Sequence, residues 1–163
     1  MQLRWAVFKG ISLFSKAIRF WTRSQYSHVG FLLTDNVLVE CWGTNPFNIH
    51  WDFVSPPFIK HKLGTPVEIW SLDFYDRDNV EYIQKFMIRL ALNRIEYDWI
   101  GVFSFVLKLD KNDRDGYFCS EGCITPIIDV KNLITIKPHH VSPGLFVNLI
   151  EAMGGRLENK FVL

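Results

Sequence analysis

Residues 26–42 read YSHVGFLLTDNVLVECW, and the way this stretch folds decides whether His28 and Glu40 meet. Two apolar runs rich in β-formers, 26–33 and 37–42, flank the turn-favouring Thr34, Asp35 and Asn36, which predicts an antiparallel hairpin. With 34–36 as a three-residue loop and Asn36 left-handed, Leu33 pairs with Val37 and Gly30 lies opposite Glu40. His28 and Glu40 then share a face as diagonal neighbours, their β-carbons roughly 7–8 Å apart. A two-residue loop would put them on opposite faces. Gly30 leaves room beside both polar groups.

Working outward, residues 3–8 suit a first strand, and 9–12 break it before a helix over 11–23, where Leu13, Phe14, Ala17, Ile18 and Trp21 follow helical spacing among Lys16, Arg19 and Arg23. Such a helix has two readings: an interfacial element making peripheral membrane contact, or, more commonly, a helix packing its stripe on the core. Residues 45–65 are dense in Pro, Gly, Asn and His and read as loop with at most one short strand, and 67–72 as a strand. Asp76 or Asp78 caps a helix to about residue 94, with Val80, Ile83, Phe86, Met87, Leu90 and Ala91 on one face. A second, apolar helix is expected over 98–108, a charged loop over 110–116, a short helix from Cys119 stopped near Pro126, a strand over 133–137 and a final helix over 142–153.

The chain has 163 residues, 48% of them hydrophobic, enough for one well-buried core, and 1–163 reads as a single domain. Lys plus Arg number 18 against 17 Asp plus Glu, so charge gives no support to a nucleic-acid partner. The odd count of three cysteines lacks the spacing of a disulfide framework or zinc ribbon and favours reduced thiols in a cytoplasmic setting. Residues 3–20 are interrupted by charge and resemble neither a spanning helix nor a signal peptide. A calcium loop over 110–121 fails because Arg114 takes a ligand position. His50, His61, His139 and His140 fall in predicted loops without metal-site spacing, so neither metal nor other cofactor is expected.

Chemistry concentrates elsewhere. A histidine among Val29, Phe31 and Leu32 is, taken alone, more often structural, and Glu40 alone is more often an exposed strand carboxylate. On one face, the carboxylate can orient the ring and favour its charged form, which a base paired to a thiol requires. Cys119 opens Cys119-Ser120-Glu121-Gly122-Cys123; at the first turn of a helix, unpaired amides and the positive dipole end lower a thiol pKa and can receive an oxyanion. The commoner fate of a free cysteine is burial in the core, the role expected of Cys41 and Cys123. Trp42, Phe47, Trp51 and Phe53 can wall a groove or fill the core equally well.

Four separated motifs, Tyr26-Ser27-His28-Val29-Gly30, Val39-Glu40, Tyr117-Phe118-Cys119-Ser120-Glu121 and His140-Val141-Ser142-Pro143-Gly144-Leu145, resemble in order the circularly permuted branch of the NlpC-type papain-like cysteine peptidases, which includes the YiiX-like proteins. The resemblance implies an α+β papain-like fold: a central, mostly antiparallel sheet packed against helices, the histidine strand preceding the cysteine helix. It implies Cys119 as nucleophile, His28 as base and Glu40 orienting the ring. Tyr97 looks like the family's tyrosine that binds substrate or the oxyanion, with Ser120 and Trp42 expected beside it. Gly122 and Cys123 depart from the pattern where larger apolar residues are expected. The expected function is thiol hydrolysis of an amide, in a cell-wall peptide or small amino-acid conjugate. A lipid acyltransferase or thioesterase is the alternative, and a non-catalytic peptide- or lipid-binding module is the rival.

Overall fold

The computed structural model describes residues 1–43, 49–98 and 116–163. It is an α+β fold in which six antiparallel strands form one sheet and the described residues include four α-helices. The strands are β1 (Gln2–Phe8), β2 (His28–Thr34), β3 (Val37–Gly43), β4 (Ile49–Val54), β5 (Pro66–Asp73) and β6 (Arg156–Val162), in the spatial order β4-β3-β2-β1-β5-β6. The helices are α1 (Leu13–Thr22), α2 (Arg77–Leu92), α3 (Cys119–Lys131) and α4 (Pro143–Ala152), with a 3-10 turn at Pro138–His140.

β1 lies inside the sheet with apolar matter on both faces, and its run Trp5, Ala6, Val7 and Phe8 is fully buried. Trp5 and Val7 join Val29, Phe31, Val39 and Cys41 beneath Ile83, Met87, Ile124, Ile127 and Phe146 of α2, α3 and α4. On the opposite face Ala6 and Phe8 pack with Leu32, Leu38, Val54, Val67 and Ile69. α2 starts at the Asp76 cap and buries Val80, Ile83, Met87, Leu90 and Ala91, while Phe86 packs half-buried beside them.

The hairpin differs from expectation at its tip. Asp35 and Asn36 form a two-residue turn, with Thr34 opposite Val37 and Asn36 not left-handed. A bulge between Leu32 and Thr34 absorbs one residue, and beyond it Leu32 pairs with Leu38 and Phe31 with Val39. That register carries Gly30 to Glu40, and a Cβ on Gly30 would stand 3.2 Å from that of Glu40. The bulge restores the parity that the short turn would have destroyed.

Two other expectations are corrected. α3 runs through Pro126 to Lys131 instead of stopping there. Burial of Ile124, Pro126, Ile127 and Ile128 offsets the lost backbone bond, and Thr125 Oγ1 donates to the Glu121 carbonyl at 2.8 Å. Residues 133–137 are not a strand. The sixth strand is Arg156–Val162, whose alternating Arg156, Glu158 and Lys160 leave it almost wholly exposed, as suits a sheet edge. The helix expected over 98–108 and the loop over 110–116 lie outside the described residues except for Asp98 and Gly116, as does Phe47.

Gly122 has a packing reason. A Cβ there would lie 2.3 Å from Cζ2 of the buried Trp51, whose indole N–H donates to the Tyr117 carbonyl at 3.1 Å. The Trp51 ring fills the volume for which a larger residue was expected on α3. Gly122→Ala is predicted to lose about 1–3 kcal/mol of stability in urea unfolding monitored by circular dichroism, because the ring has to move to admit a methyl group.

Candidate active site

Three elements converge on the start of β2. The segment before it is tied down: Tyr26 Oη donates to the buried Glu68 at 2.6 Å, and Lys9 Nζ stands 2.7 Å from the same carboxylate. The Gly10 amide donates to Ser27 Oγ at 2.9 Å, and Ser27 Oγ donates to the Phe8 carbonyl at 3.3 Å. The backbone entering His28 is therefore fixed from both sides.

His28 Nε2 lies 3.0 Å from Glu40 Oε2, so the diagonal pair expected on the hairpin is in contact. A third group, not foreseen as part of the site, completes it. His61 Nε2 lies 2.9 Å from the same Oε2, and its ring stacks on Phe8 with centroids 3.7 Å apart. Phe8 also touches the His28 ring, at 5.4 Å between centroids. Glu40 has no solvent exposure, and its Oε1 has no hydrogen-bond partner among the described residues. His61 comes from residues 55–64, which close on the sheet through the Gly64 amide and the Leu163 carbonyl at 2.6 Å. Its sequence signal was a His between two lysines in a Pro-rich segment, which gives no hint of the partner 21 residues away.

Cys119 is the first residue of α3, which packs against β2, and only 3% of its surface is exposed. The His28 ring and the backbone amides of Val29 and Ser120 lie near enough to its sulfur to favour the thiolate. Since Nε2 of His28 is engaged by Glu40, the nitrogen left for sulfur is Nδ1. The order is thus Cys119, His28, Glu40, His61.

The electrostatics follow. Burial works to raise the Cys119 pKa, but the His28 cation and the hydrogen bonds to sulfur outweigh it and hold the thiol below its ordinary value. Burial opposes a charge on His28, yet Cys119 and Glu40 together carry that ring up to about 10. Glu40, despite the cost of burial, is held down to about 2 by bonds from His28 and His61. Burial instead pushes Cys41 and Cys123 well up, so the three thiols are sharply distinguished.

A cavity of about 300 Å³ opens beside this chain, lined by His28, Cys41, Trp42, His61 and Tyr97 and, farther out, by Phe14 and Ile18. Trp42 meets the His61 ring edge-on at 5.2 Å between centroids, whereas Trp51 is a core residue. Tyr97 is positioned by its own amide, which donates to the Ile49 carbonyl at 3.0 Å, and burial keeps its phenol well above the usual value and therefore a donor. The Ser120 hydroxyl, expected beside the substrate, donates to the Val141 carbonyl at 2.6 Å.

Among the described residues, His28, Glu40 and His61 also have the spacing to hold a metal ion, their ligand atoms lying within 4.8 Å of one another. The premise that the other histidines all lie in loops is also corrected, since His50 stands on β4 and His139 and His140 in the 3-10 turn. No protein-family model matches the chain, and no curated protein matches it.

The depressed Glu40 fixes the sign of one pH effect. Its contribution to stability is complete above the ordinary carboxyl value of 4.5 and is lost as pH falls toward about 2. Thermal melts should therefore show the midpoint falling more steeply across that window in wild type than in Glu40→Gln. Parallel curves would contradict the buried, doubly bonded carboxylate.

Proposed function

We propose that this protein is a thiol hydrolase or acyltransferase on a permuted papain-like scaffold, with Cys119 as nucleophile, His28 as general base and acid, and Glu40 orienting the ring. One arrangement supports the reading: Cys119 opens α3, which packs on the strand that carries His28, and a buried carboxylate holds that histidine from behind. A structural cysteine gains nothing from such a partner, and Cys41 and Cys123 lack one.

In the mechanism, Cys119 sulfur attacks the substrate carbonyl carbon and the carbonyl electrons move onto oxygen. The amides at the start of α3 are donors for that oxyanion, and Tyr97 borders the same cavity. Collapse expels the leaving amine or alcohol, which takes the proton held on His28, and leaves a thioester on Cys119. His28 then removes a proton from water or an acceptor alcohol, whose oxygen attacks the thioester and returns Cys119 as thiolate with His28 protonated. His61, bonded to the far side of the arrangement, is a positioning residue: it shares Glu40 Oε2 and stacks on Phe8.

An amide of a peptide or small amino-acid conjugate is the first reading of the substrate, on the resemblance to NlpC-type enzymes. A lipid ester or amide is the second, favoured by the apolar lining of the cavity by Phe8, Ile11, Phe14, Ile18 and Trp42.

Iodoacetamide labelling, mapped residue by residue by mass spectrometry from about pH 4 to about pH 9, tests the pair. Cys119 should label at least roughly tenfold faster than Cys41 or Cys123 near pH 6, well below the reference thiol pKa of about 8.5. The rate should fall at least roughly tenfold in His28→Ala, with folding of that variant checked by circular dichroism. Equal labelling of the three cysteines, or a Cys119 rate that ignores loss of His28 in folded protein, would leave a binding module as the better account.

A further inference from the structure

α1 turns its apolar side away from the protein. None of its ten residues is buried; Leu13 is 86% exposed, Phe20 77% and Trp21 59%, with Phe14 and Ala17 exposed beside them. At helical spacing these residues share one side, and Ser15, Lys16, Arg19 and Thr22 take the other. A helix that belongs only to a water-soluble surface has the reverse arrangement, because its apolar stripe is what attaches it to the core.

A second segment has the same character. In the turn after β4, Ile59 and Leu63 are largely exposed beside an exposed Lys62. The two segments adjoin: Ile11, just before α1, has its Cδ1 3.7 Å from where a Cβ on Gly64 would stand, and both segments line the cavity that His28 borders. Neither contains an acid: residues 9–25 hold Lys9, Lys16, Arg19 and Arg23, and 53–66 hold Lys60 and Lys62, with no Asp or Glu. Lys9 and Lys60 are ion-paired with Glu68 and Asp52, so the cations counted at this apolar surface are Lys16, Arg23 and Lys62, in a chain whose net charge is only +1.

We infer that α1 and residues 59–63 form a docking rim for an anionic lipid bilayer, with the mouth of the cavity held against the membrane surface. Leu13, Phe20, Trp21 and Leu63 enter the headgroup and acyl boundary, while Lys16, Arg23 and Lys62 meet the lipid phosphates. Trp21 suits the interface because its ring is apolar and its N–H polar. The rim stands on exposure, charge and adjacency alone and does not depend on Cys119 being a nucleophile.

The test uses full-length Cys119→Ala, so that no chemistry intervenes, and sedimentation with vesicles of equal parts phosphatidylcholine and phosphatidylglycerol or of phosphatidylcholine alone. Binding should favour the anionic vesicles and weaken with salt. It should fall at least roughly tenfold when Leu13→Ser, Phe20→Ser and Trp21→Ser are combined, and likewise with Lys16→Glu plus Arg23→Glu. Because all five side chains are exposed, the thermal midpoint is expected to hold, and the melt is run on each variant. Absence of binding to anionic vesicles, or binding that the triple change leaves intact, would overturn the rim. So would a dimer in solution that the triple change disperses while vesicle binding is absent, since the face would then belong to a second copy.

Discussion

A single carboxylate oxygen organises this protein. Glu40 Oε2 accepts from His28 at 3.0 Å and His61 at 2.9 Å, inside a sheet face where the side chain has no contact with water. A buried carboxylate is costly unless paired, and here the pairing comes from two imidazoles clamped against one phenylalanine. Every element that sets the site in place converges on that oxygen. The bulge near the hairpin tip restores the parity of β2 and β3, Gly30 makes space opposite Glu40, and the turn after β4 brings in His61. Cys119 joins through His28, so the polarity of the thiol is set from a carboxylate it does not touch.

This arrangement sets three buried cysteines of one core apart. Cys41 and Cys123 have the same low exposure as Cys119, and burial, joined by the negative charges of Cys119 and Glu40, drives their thiols up. Cys119 escapes because it starts a helix, where its own sulfur meets backbone donors, and because His28 brings a cation to it. Placement at a helix start and a neighbouring base are two independent contributions, and the second depends on Glu40.

Much of this was legible in the sequence because it rests on local periodicity. The alternation of residues 26–42, the stripe from Val80 to Ala91 and the Asp76 cap each express a pattern that needs no distant partner. The pairing of His28 with Glu40 was reached through a three-residue loop, whereas the chain uses a two-residue turn and a bulge with the same parity. What escaped depends on distance. β6 is polar because it is a sheet edge, α3 outlasts Pro126 because its flanks are buried, and His61 belongs to the site through a turn whose sequence carries no period. General frequency favours a core helix for α1, and its exposed Leu13, Phe20 and Trp21 reverse that expectation.

The central claim is that His28 carries a proton because Cys119 and Glu40 both favour its charge. The most direct measurement is the nitrogen chemical shift of the His28 imidazole by NMR, followed across pH in wild type and in Cys119→Ala. The account predicts a ring still cationic at about pH 8 in wild type, in line with a pKa raised to about 10, and a lower pKa once the sulfur is removed. A neutral ring at that pH, titrating near the ordinary 6.5 and indifferent to Cys119, would contradict it.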